Sequence, residues 1–103
     1  MPVLAIVEIE GDPDALKRAS DELCARIGMA DGLLARVVAP TERGIVLVNV
    51  WASEEQRQAS NADPAHAAAL EASGLVALTR GREARFLETD WVQLAGGTAP
   101  ASG

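Results

Sequence analysis

The chain has no tyrosine, one phenylalanine, two tryptophans, one histidine and one cysteine in 103 residues. A single thiol excludes an intrachain disulfide and a cysteine-based metal cluster, and it fits a reducing compartment. No apolar run approaches the roughly 20 residues that a membrane-crossing helix needs, so no membrane partner is expected. Basic residues are scarce: 9 Lys and Arg against 15 Asp and Glu leave a net charge of −6. That balance disfavours nucleic acid, because phosphate binding needs a basic patch that releases counterions. Arg80, Arg82 and Arg85 do cluster, but Glu83 interrupts them and Glu88 and Asp90 follow. Met1 to Glu8 lacks a basic start and reaches an acid before a signal-peptide core can form. The expected location is cytoplasmic.

What is present is the balance of a globular protein, 49% hydrophobic and 23% charged. A mass of 10.7 kDa has room for one domain, expected over residues 1–94, with a disordered tail at 95–103. A domain this small buries only about 60–65% of the surface its unfolded chain exposes, so a second copy adds stability.

Residues 3–9 alternate, with Val3, Ala5, Val7 and Ile9 on one face and Leu4, Ile6 and Glu8 on the other, the period of a strand. Asp12 then offers an N-cap and Pro13 a first helical residue, and Leu16, Ala19, Leu23 and Ile27 recur at helical spacing before Gly28. These signals predict a helix over 13–27. Two apolar strands, 33–39 and 45–51, flank Pro40 to Gly44 as a hairpin. Ser53 and Gln56 have the spacing of a capping box, so a short helix starts directly after Trp51. Asp63-Pro64 opens a further helical segment over 64–73 that Gly74 ends, and 75–79 is an apolar linker. A last strand runs from Arg82 to about Leu94, with a break near Asp90.

The order β-α-β-β-α-β is that of the ferredoxin-like α+β fold, a four-stranded antiparallel sheet with helices on one face. The third strand is apolar on both sides: Val46, Val48 and Val50 alternate with Ile45, Leu47, Asn49 and Trp51. Whichever set meets the helices, the other is left to water in a monomer, and exposed apolar patches of that extent mark interfaces. A homodimer through the open sheet face, closing a shared α+β barrel, is the expected assembly.

The run Val48-Asn49-Val50-Trp51-Ala52-Ser53-Glu54-Glu55, a strand ending in Trp that leads straight into a helix opened by Ser-x-Glu, resembles the dimeric α+β barrel superfamily and, within it, the antibiotic biosynthesis monooxygenase family. The resemblance follows element order over about residues 2–94. It implies a cofactor-independent monooxygenase acting on a small aromatic or polyketide-like molecule, with the deprotonated substrate itself passing an electron to oxygen. Such a site needs a dry cavity between sheet and helices and a hydrogen-bond donor for the substrate's oxyanion.

Asn49 and Trp51 match the residue types on the family's strand and share one strand face. The amide suits an oxyanion donor, and the indole suits a stacking surface or a core anchor. His66 is the residue whose ordinary pKa lies near neutrality, and at the third position of its helix the positive helix end favours the neutral, proton-accepting ring. It falls on one face with Leu70; its alternative is a solvated surface residue. Arg36 and Arg85 can meet an anion in the cavity or pair with Glu8, Glu83 or Glu88 across the sheet. Glu8 is a further acid or base, Cys24 a boundary residue, and Trp91 a core or dimer contact.

Other readings of the same fold stay open: a non-catalytic dimeric module that binds a small ligand or only packs, a haem-binding and haem-degrading monooxygenase, and a polyketide cyclase. The haem branch departs on two points, having no Asn within 3–9 and Pro64 between Trp51 and His66. The oxygenase branch departs on one, the absence of tyrosine.

Overall fold

A computed structural model describes residues 1–94 and 97–98. Three capped helix starts organise it. Asp12 accepts from the Ala15 amide at 2.9 Å and opens α1 (Pro13–Ile27). Ser53 accepts from the Gln56 amide at 3.2 Å and opens α2 (Glu54–Ala62). Asp63 accepts from the Ala65 amide at 2.9 Å and opens α3 (Pro64–Ser73). In each case a side chain satisfies an amide that the first helical turn leaves orphaned. Gly74 ends α3 at φ 78°, a left-handed conformation that favours glycine. The apolar linker after it is one further helical turn, α4 (Leu75–Leu78).

The strands are β1 (Val3–Glu10), β2 (Leu33–Pro40), β3 (Gly44–Trp51) and β4 (Gly81–Glu88), in the antiparallel order β2-β3-β1-β4. This is the ferredoxin-like α+β fold. Gly44 closes the hairpin where β3 meets the end of β1, and a Cβ there would lie 2.0 Å from the Ile9 carbonyl oxygen. The final strand is shorter than its pattern predicts. β4 stops at Glu88, opposite Val3, because the preceding Pro2 has no N–H and only its carbonyl accepts, from the Thr89 amide at 2.9 Å. Beyond the break, β5 (Gln93–Leu94) pairs with β6 (Gly97–Thr98) in a separate ladder. The rest of the tail expected over 95–103 lies outside the described residues. Trp91 is 65% exposed, so it is no part of this chain's own core.

Register assigns every strand residue to a face. Val3, Ala5, Val7 and Ile9 of β1 oppose Trp51, Asn49, Leu47 and Ile45 of β3, and all face the helices. Leu4, Ile6, Val46, Val48 and Val50 face away, joined by Val37 at 55% exposure and Leu87 at 48%. The helix-side core divides into two clusters. One gathers Ile9, Leu16, Ala19, Leu23, Ile45, Ala69 and Leu75; the other gathers Val3, Ala5, Leu33 and Trp51.

Candidate functional site

Between those two clusters the sheet presents polar side chains where a continuous core would need apolar ones. Across the strands one row on the helix side reads Arg36, Asn49, Ala5 and Phe86, from β2 to β4. Arg36 and Asn49 are direct neighbours in the β2–β3 ladder. An arginine and an amide cannot be packed like Leu without leaving their polar atoms unmet, so helices and sheet stay apart here. The result is a cavity of about 180 Å³ whose wall includes Leu23, Asn49, Trp51, Arg57, His66 and Leu70. The three candidates Asn49, Trp51 and His66 line this one space.

Each reaches it by a different route. Asn49 comes from mid-β3, half-buried, and its Oδ1 is buried with no hydrogen-bond partner among the described residues. Buried amide oxygens are rarely left so. The oxygen is the shielded end of the amide, so the Nδ2 end is the one left to meet a molecule in the cavity. Trp51, 4% exposed, packs with Val3, Ala5 and Leu33 and is a core anchor as well as a wall of the cavity. His66 is the third residue of α3 after the Asp63 cap and is half-buried. It also lines an outer recess of about 370 Å³ with Ile27, Ser60 and Asp63, so it stands where recess and cavity meet.

Other expectations need correction. Glu8 points to the open face and lines a different depression with Glu10, Glu42 and Glu83, so it is no acid or base for this cavity. The cross-sheet pairs expected for Arg36 and Arg85 are absent among the described residues, whose ion pairs all lie within α1 or α2. Arg36 instead faces the helices, opposite in direction to Glu8, and donates to the Gly28 carbonyl at 3.2 Å. Cys24 is half-buried on the cavity wall.

Sequence reasoning passed over Arg57, Ser60 and Asn61, which bring the polar side of α2 to the cavity. Their signal is the spacing: residues 57, 60 and 61 share one helix face. The side chain of Arg57 is 14% exposed; its guanidinium lies 4.0 Å from the centre of the Phe86 ring and is bound by Glu54. That hydrogen bond holds the Glu54 carboxyl down to about 2 and raises Arg57 further above its ordinary value. No three His, Cys, Asp or Glu side chains among the described residues are placed to share a metal ion.

No protein-family model matches the chain, and no curated protein matches it in sequence. Solved structures do. A Chloroflexus aurantiacus protein, provisionally named an antibiotic biosynthesis monooxygenase, superposes with a TM-score of 0.68 at 23% identity over 84% of this chain and 91% of its own. The Streptomyces nogalater cofactor-independent oxygenase SnoaB gives 0.67 at 15% identity over 88% and 93%; its structure is known also as an asparagine-to-alanine variant. A dimeric ferredoxin-like protein of unknown function from Thermobifida fusca gives 0.68 at 18% over 86% and 92%. At such identities the likeness is one of architecture: the chain has the ferredoxin-like fold that antibiotic biosynthesis monooxygenase-like structures share.

Proposed function

We propose that this protein is a cofactor-independent oxygenase that acts on a small electron-rich aromatic within the cavity, as a homodimer joined through the open sheet face. The observation that carries this reading is that Asn49, Trp51 and His66, from sheet and helix, line one cavity between sheet and helices. The accessible Nδ2 end of the amide donates to the phenolic oxygen and holds it as it ionises. His66 takes the proton and, lying at the junction with the outer recess, releases it to water. The ionised ring passes one electron to dioxygen, and radical and superoxide combine at carbon. Loss of water then leaves a carbonyl, so a ring C–H, the phenolic O–H and O2 yield two C=O groups and H2O with all electrons from the substrate.

The dimer is proposed from Leu4, Ile6, Val37, Val46, Val48, Val50 and Leu87 on the uncovered face, and from structural neighbours described as dimeric. A ligand-binding module without catalysis is the competing reading, favoured by the packing of Trp51 into the core.

Oxygen uptake by metal-free protein on anthrones, naphthols and hydroquinones separates the two. The expected result is turnover that falls about a hundredfold in Asn49→Ala and about tenfold or more in His66→Ala, with melting temperatures near wild type. Tight binding of these compounds without any oxygen consumption would leave only the binding module.

A further inference from the structure

The cavity differs from the rest of the molecule in the sign of its charge. The chain as a whole is acidic, at −6, yet the wall of this cavity contains Arg36, Arg57 and Arg82 and no Asp or Glu. The three arginines are not equivalent. Arg57 is already neutralised by Glu54 and stacked on Phe86. Arg82 is exposed and also lines the depression that holds Glu8, Glu10 and Glu83.

Arg36 is left uncompensated. It is half-buried, belongs to no ion pair among the described residues, and meets only the Gly28 carbonyl. One of its five N–H donors is used there, and a planar fork with free donors matches a carboxylate in two parallel hydrogen bonds. Its neighbour across the ladder is Asn49, whose amide lines the same cavity with its Nδ2 end free. Paired residues on adjacent strands have Cβ atoms about 5 Å apart, so both side chains start from the same part of the wall.

From this juxtaposition we infer that the cavity is built for an aromatic carboxylate, with the carboxylate on Arg36, a ring hydroxyl on Asn49 and the ring against Leu23, Leu70 and Trp51. Volume limits the ring system. A dry cavity of roughly 150 Å³ admits benzene, so about 180 Å³ takes one or two fused rings, and a third extends into the outer recess past His66. This inference takes the proposed oxygenase cavity as its site and names its substrate class, but the anion preference does not depend on the chemistry performed there.

Titration calorimetry with 2-naphthoate, its neutral primary amide and 2-naphthol at neutral pH is the test. The acid is expected to bind about tenfold or more tightly than the amide. Arg36→Gln should bring the two within about twofold, Arg36→Lys should keep part of the preference, and Arg18→Gln, exposed on α1 away from the cavity wall, should leave it intact. Equal affinity for acid and amide overturns the inference, as does no detectable heat from the acid up to about 1 mM. Preference for the acid that survives both Arg36 changes overturns it too. If Arg36→Gln fails to fold, the Arg36→Lys protein and the wild-type acid-to-amide ratio still decide. Oxygen uptake is read separately: an acid preference without uptake removes the oxygenase reading alone, and uptake on naphthols without an acid preference removes this inference alone.

Discussion

Glu54 shows how much one exposed residue can do when its partner is fixed. Its carboxylate binds Arg57, and Arg57 is held over the Phe86 ring, so the pair ties α2 to the far edge of the sheet. The carboxyl titrates at about 2 in the fold against an ordinary 4.5. A depressed folded value means that the stabilisation is complete above 4.5 and disappears as the pH falls through about 2. The melting-temperature gap between wild type and Glu54→Gln should therefore be constant from pH 7 down to about 5 and close near pH 2. A gap unchanged over that range would mean that the carboxylate contributes nothing as an ion. Residue-level reading of the sequence reached Asn49, Trp51 and His66, because an amide in an apolar strand, a tryptophan at its end and a lone histidine stand out. It passed over Arg57 because polar residues on a surface helix are ordinary; what makes this one different is the ring beneath it, contributed 29 positions later, at residue 86.

Among the elements, α2 is the least anchored. It has no buried residue, whereas α1 buries Leu16, Ala19, Ser20 and Leu23. Its ties are the Ser53 cap and the Arg57 contacts. Hydrogen exchange should accordingly find the α2 amides opening well before those of α1 and β1, with Ser53→Ala speeding α2 further through the loss of a cap worth about 1 kcal/mol. Uniform protection across α1 and α2 would contradict this. Most element boundaries were legible because they depend on local chemistry: Asp12, Ser53, Asp63 and Gly74 act within one turn of where they stand. The end of β4 was not, because it is imposed by Pro2 at the other end of the chain.

For the whole molecule, the doubly apolar β3 was enough to predict an uncovered sheet face, and the register places Val46, Val48 and Val50 there together with Leu4 and Ile6. Light scattering should give twice 10.7 kDa for wild type and 10.7 kDa for Val48→Lys, which puts a charge at the centre of that face. A wild-type monomer at micromolar concentration would end the dimer proposal. A cavity between sheet and helices was implied by the family resemblance, but its walls could not be read from local pattern, since it arises from a mismatch between two core clusters brought together by register.

The stack of Arg57 on Phe86 has a spectroscopic consequence. In a chain with a single phenylalanine and no tyrosine, the protons of that guanidinium sit in the shielding cone of one unambiguous benzene ring, 4.0 Å from its centre. Their upfield displacement in a proton spectrum is a built-in gauge of how far α2 stands from the sheet, readable in unmodified protein as ligand is added.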